Sequence, residues 1–169
     1  MIRQYYAQPY DISAVGFYFV DFAEYESGVV KCRNEAGDPV EEYEIQFIDG
    51  ESIDAMLFEA LSISQATIGP FIAALDDWDD HQKTILIIAI GECGHHFDIL
   101  KDDPDNFEID LYEVESLRVL AEQLVDEGLF GEVPKAFQYY IDYDAIARDL
   151  GCDYSMIDIA GQRFAYRCG

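Results

Sequence analysis

Residues 42–48 read EYEIQFI, and this stretch decides the fold class. Tyr43, Ile45 and Phe47 alternate with Glu42, Glu44 and Gln46, the two-residue period of a half-buried strand with an acidic outer face. Asp49-Gly50 closes the strand, and Gly37-Asp38-Pro39 upstream is a turn. Further upstream, FYFVDF at 17–22 has the aromatic and β-branched content of a buried strand. Ala23 to about Asn34 is ambiguous because Gly28 lies inside it, but Tyr25, Val29 and Cys32 recur at helical spacing, which predicts a helix. Residues 1–51 therefore read as a small α+β unit.

Residues 52–105 change character, with almost no strand pattern. Ser52 is the expected N-cap of a helix through Leu61 and Ser64 that of a second, which Pro70 interrupts or starts; the acids Asp76 to Asp80 precede a third helix running to about Gly91. TILIIAIG at 84–91 also fits a strand by composition, since a short apolar run does not separate the two. GHHFDILKDDPDN at 94–106 is a polar loop, and the middle unit reads as all-α.

Residues 106–169 return to α+β. Phe107, Ile109 and Leu111 alternate with Glu108 and Asp110 in a strand. A helix follows whose apolar face carries Val114, Leu117, Leu120, Ala121, Leu124 and Val125, with Gly128 past its end. Pro134 opens a short helix and Asp142 or Tyr143 another to about Leu150. Strands at Tyr154–Ala160 and Arg163–Arg167 flank a turn at Gly161. The expected class is α+β, in three small units ordered α+β, all-α and α+β.

The chain of 169 residues carries 35 acids against 10 Lys and Arg, a net charge of -25, and a pI near 4.1. With half its residues apolar and 14% aromatic it has the material for a packed core, unlike a disordered acidic chain. The charge is spread: residues 1–50 hold ten acids and three bases, 51–105 twelve and two, and 106–169 thirteen and five. Such a field repels nucleic acid and anionic membranes and attracts basic surfaces, so no direct nucleic-acid or membrane binding is expected. Duplex DNA carries one charge per roughly 1.7 Å of axis, so this net charge matches roughly 40 Å of duplex.

The N-terminal MIRQYYAQPYDIS lacks an apolar signal-peptide core, and no apolar run approaches membrane-spanning length. The cysteines at 32, 93, 152 and 168 show no C-x-x-C spacing and are expected as reduced thiols of a cytoplasmic protein. No cofactor or metal is expected. Counting a calcium loop from Asp103 puts Glu108 where glycine is required. Cys93, His95 and His96 lack a fourth ligand at zinc-type spacing. No phosphate loop, dinucleotide fingerprint or nucleophile elbow occurs, and nothing marks a catalytic pair, so the chain is not expected to be an enzyme.

The outward carboxylates are the informative constellation. Neighbouring acids on one strand face, Glu42 with Glu44 or Glu108 with Asp110, stand about 6.6 Å apart, and Glu115, Glu122 and Asp126 line a helix. With Asp76, Asp77, Asp79, Asp80, Asp102, Asp103 and Asp105 they form the candidate partner-binding array. A rigid fold holding these charges resembles a phosphate backbone; an ordinary solubilising surface, or an acidic binding module for another basic DNA-processing protein, remains the alternative.

The stretch 129–150, LFGEVPKAFQYYIDYDAIARDL, resembles the C-terminal signature of the ArdA antirestriction family in its G-E-V-P, Y-I-D-Y and A-R-D-L elements. FYFVDFAEYE, EEYEIQFIDGESID and ALDDWDDHQKTILIIAIGECG extend the similarity upstream, while the stretch around Ala7 to Ser13 departs from the family's usual opening. The resemblance implies an elongated homodimer of units 1–51, 52–105 and 106–169, joined through the last, which imitates bent B-form DNA. It implies a protein of mobile genetic elements that inhibits type I restriction-modification enzymes by occupying their DNA-binding groove. Tyr139, Tyr140, Ile141 and Tyr143 are candidate dimer-interface residues on the same ground; a helix entry packed within one subunit is the alternative.

Overall fold

The computed structural model describes residues 2–169, which divide into two compact units, one extending through Phe107 and the other spanning Glu108–Gly169. The fold is mixed α+β, as expected, with one antiparallel three-stranded sheet in each unit.

In the first unit, strands β1 (Gln4–Pro9), β2 (Phe17–Phe19) and β3 (Tyr43–Asp49) pair in the order β2-β1-β3. The central strand was not visible in the sequence pattern. Its inward positions are Tyr5, Ala7 and Pro9, a set too mixed in size and polarity to announce a strand. Tyr5 lies opposite Phe19 on one side and Phe47 on the other, and Ala7 opposite Phe17 and Ile45, which buries both residues completely. The FYFVDF strand is shorter than expected because Asp21 leaves it to cap helix α1 (Phe22–Lys31), accepting a bond from the Glu24 N–H at 2.8 Å.

Aromatic contacts carry the core from sheet to helices. Tyr5 stacks on Phe19 and meets Phe47 edge-on, each at 5.3 Å between centroids, and Phe58 meets Phe71 edge-on at 5.5 Å. Gly28 of α1 faces Phe17 so closely that an added Cβ would lie 2.1 Å from the ring. The glycine that blurred the helix in the sequence is what lets the helix approach the sheet.

Helices α2 (Ser52–Ala60), α3 (Ile68–Asp77) and α4 (Asp80–Leu86) follow, the last running into a π-helical segment, Ile87–Glu92. TILIIAIG is thus helical. Two expected caps move: Glu51 occupies the N-cap position of α2 and Thr67 that of α3. Ser64 instead joins the preceding turn, its N–H donating to Thr67 Oγ1 at 3.0 Å. Pro70 falls in the first turn of α3, where its missing N–H costs no helical bond. Asp79 caps α4 in a reciprocal box with Gln82.

The second unit pairs β4 (Ile109–Glu113), β5 (Ser155–Ile159) and β6 (Gln162–Cys168) in the order β4-β6-β5. The β5–β6 hairpin turns on Ala160 and Gly161, with φ of 51° and 85°, the left-handed pair that a two-residue turn of matching twist requires. Helices α5 (Leu117–Asp126) and α6 (Tyr143–Leu150) pack on one another, and Val114, Leu120, Leu124, Tyr154 and Ala165 form the core. Between the helices lies a 3-10 segment, Lys135–Tyr140, none of it buried.

The expectation of reduced thiols holds for Cys32, buried, and Cys152, exposed; it fails for Cys93 and Cys168, neither of which is a free thiol. No helix among the described residues is long and apolar enough to cross a membrane.

Candidate functional site

All the acids are exposed except Asp11, Asp98 and Glu122, which are partly covered, and Asp54, which is buried. The fold thus leaves nearly all its negative charge on the surface. Few cations offset it. Arg3 and Lys83 hold Asp54, Arg3 also reaches Asp76 at 3.0 Å, and Lys101 holds Asp98 at 2.7 Å. In the second unit Arg118 bridges Glu122 and Asp144, Arg163 approaches Asp158 and Arg167 pairs with Asp110.

Two acidic clusters far apart in sequence come together in the first unit. Asp77 and Trp78 at the end of α3, Gln82 of α4 and Lys101, Asp102, Asp103 and Asp105 of the following loop line one open depression of about 410 Å³. The loop is pinned there: Gln82 Nε2 donates to Asp105 Oδ1 at 2.8 Å, and Pro104 is buried. Local bonds fix several of the carboxylates themselves. Asp79 accepts from the Gln82 N–H at 2.8 Å, Asp103 from the Asp105 N–H at 3.0 Å, and Asp102 from the Asp98 N–H at 2.7 Å. None of Asp77, Asp79, Asp80, Asp102, Asp103 and Asp105 has a cation within ion-pair distance among the described residues. Such an array is negative and geometrically constrained.

Asp98, which the sequence reading passed over, organises this loop. Its carboxylate accepts from Lys101 Nζ and from the Leu100 N–H at 3.0 Å, and these bonds, the lysine's first, hold its pKa below the ordinary aspartate range. Asp11 is lowered likewise by bonds from Ser13 and Asn34.

The remaining candidates form other groups. Glu44 projects from β3, with Gln46 Nε2 at 3.4 Å, and Glu42 stands just before that strand, its carbonyl accepting from the Tyr10 N–H at 3.1 Å. Glu108, Glu115 and Asp126 are exposed in the second unit, whereas Asp110 and Glu122 are partly neutralised by Arg167 and Arg118. Tyr139 and Tyr140 are 95% and 83% exposed, with Phe137 and Phe130 also open, while Ile141 and Tyr143 are partly covered.

Asp54 behaves otherwise. It is 0% exposed and accepts from Arg3 Nε at 2.6 Å and from Lys83 Nζ at 2.8 Å, so it is a structural anchor rather than a displayed charge. Its place in α2 beside Ile53, three residues before Leu57 and four before Phe58, was the available signal: an acid inside an apolar stripe. Among the described residues no group of three or more His, Cys, Asp and Glu is arranged to hold a metal ion.

A family model described as antirestriction protein (ArdA) matches residues 28–162, from within α1 to the start of β6. No curated protein matches the chain.

Proposed function

The chain belongs to the ArdA family of non-enzymatic antirestriction proteins, and from that premise we propose that it inhibits type I restriction-modification enzymes by imitating B-form DNA in their DNA-binding groove. The observation that carries the reading is the depression lined by Asp77, Asp102, Asp103 and Asp105, the last three held by local bonds and none of the four ion-paired among the described residues. Asp79 and Asp80, exposed on the adjoining α4 start, and the exposed carboxylates of β3 and of the second unit support it. Charges held by backbone and side-chain bonds lose little freedom on meeting a partner, which favours an imitation of regularly spaced phosphates.

In this account residues 1–51 and 52–105 present most of the charge. Residues 106–169 join two copies through the neighbourhood of Tyr139, Tyr140, Ile141 and Tyr143, where aromatic side chains are open to solvent. Two copies would present the charge of roughly 80 Å of duplex. The protein acts in the cytoplasm, where its target works, and needs no cofactor.

The reading is tested by the salt dependence of binding to a purified type I methyltransferase core. Pairing of distributed carboxylates with Lys and Arg releases counterions, so affinity falls steeply between about 50 and 200 mM salt. An affinity unchanged over that range contradicts mimicry.

A further inference from the structure

The first unit also has an apolar groove that charge imitation does not use. It measures about 420 Å³ and is lined by Phe22, Tyr25, Val29 and Val30 of α1, Tyr43 of β3 and Ala66 of the turn before α3. Glu26 and Glu41, both exposed, also line it. The walls are built rather than incidental. Gln65 accepts from the Tyr43 N–H at 2.7 Å and donates to the Glu41 carbonyl at 3.2 Å, tying the turn to the strand, and Tyr43 OH donates to the Val40 carbonyl at 3.1 Å. Phe22 lies over Gly69, where an added Cβ would come 2.8 Å from its ring. Yet Val30 remains 69% exposed, and neither the Glu26 nor the Glu41 carboxylate has a salt-bridge or hydrogen-bond partner among the described residues.

We infer that this groove is an anchor site for one apolar side chain, aromatic or long aliphatic, flanked by Lys or Arg on a basic protein segment. The two unpaired carboxylates at the groove select cations next to the anchor, and the aromatic and valine walls select the anchor itself. A phosphate backbone offers no such contact, so the groove recognises protein and gives binding a component that salt does not screen. The inference rests on the reading that the partner is a basic protein, and names a recognition element on it.

The test is a titration of the full chain with three blocked tripeptides, followed by NMR shifts at Val29, Val30 and Ala66. Acetyl-Lys-Phe-Lys-amide saturates these sites at least about tenfold more tightly than acetyl-Lys-Gly-Lys-amide, the gain expected from burying a phenyl ring. It also binds more tightly than acetyl-Ser-Phe-Ser-amide, and the advantage over the serine peptide shrinks severalfold in the Glu26→Gln/Glu41→Gln variant. Ala66→Leu, at an exposed position, fills the groove and abolishes the response while the rest of the spectrum is retained. Equal binding of the glycine and phenylalanine peptides, or a response indifferent to Ala66→Leu, overturns the inference. So do shifts at Val29 and Val30 that change on dilution of the protein alone, which would assign the groove to a second copy. The assay contains no restriction enzyme, so failure here leaves DNA displacement untouched, and failure of displacement leaves this result standing.

Discussion

Lys83 Nζ donates to Asp54 Oδ1 at 2.8 Å with both side chains buried, and Arg3 closes the other carboxylate oxygen at 2.6 Å. In a protein that displays nearly all its negative charge, this one acid is turned inward and fastens β1's approach to α2 and α4.

Asp54→Leu strands the Lys83 ammonium in the interior and is expected to cost about 3–5 kcal/mol. Asp54→Leu with Lys83→Met leaves Arg3, which keeps Asp76, as the remaining charge and recovers part of that loss. Urea unfolding followed by fluorescence of Trp78, the single tryptophan, reads the first unit in both variants.

Gly28→Ala places a methyl against the Phe17 ring and is expected to destabilise the same unit by about 1–3 kcal/mol, the range for overpacking. The φ of Gly28 is not left-handed, so the cost is steric. Adding Phe17→Leu restores room, and the double variant melts above Gly28→Ala alone.

Asp98 and Asp11 titrate below the usual aspartate value of about 3.9, because bonds from Lys101 and Leu100, and from Ser13 and Asn34, favour their charged forms. A depressed folded-state pKa adds stability that is present above the unfolded pKa and disappears as pH falls through the folded one. Carbon-detected NMR titration between pH 2 and 6 of the carboxyl groups therefore finds both midpoints low, and Lys101→Met raises that of Asp98 without moving that of Asp11.

Single changes in the acidic array, such as Asp77→Asn or Asp80→Asn, shift inhibition by less than about 1 kcal/mol, because each exposed pair is worth little. Asp77, Asp102, Asp103 and Asp105 changed together to Asn cost about 1–3 kcal/mol in affinity, read by competition binding. Asn at 103 keeps a capping oxygen, so the loop survives the test.

Tyr139 and Tyr140 touch little of their own subunit. Changing both to Ala leaves thermal stability of a lone subunit within about 0.5 kcal/mol but, on the proposed interface, weakens the dimer at micromolar concentration in analytical ultracentrifugation. Self-association that the pair of changes leaves unaltered would contradict the proposed interface.

The legible parts of the fold were those with strict periods and chemically distinct ends. The alternation of Tyr43, Ile45 and Phe47, the stripe from Leu117 to Leu124, and the hairpin turn at Gly161 all appear at their expected places. The central strand β1 escaped because Tyr5, Ala7 and Pro9 are buried by neighbours far along the chain rather than by a local pattern. Serines at 52 and 64 misplaced two helix starts because a good capping residue does not guarantee a capping geometry. The acids could be named from sequence only as candidates, and not that Asp77 and residues 102–105 line one depression, since the Gln82–Asp105 bond beside it is tertiary.

The most direct measurement is displacement of labelled duplex DNA from a purified type I methyltransferase core as this protein is added. DNA mimicry predicts complete displacement near one equivalent of inhibitor per DNA-binding site at low salt, weakening as salt rises, with no species containing enzyme, duplex and inhibitor together. DNA that stays bound while the protein also binds the enzyme would contradict occupation of the groove.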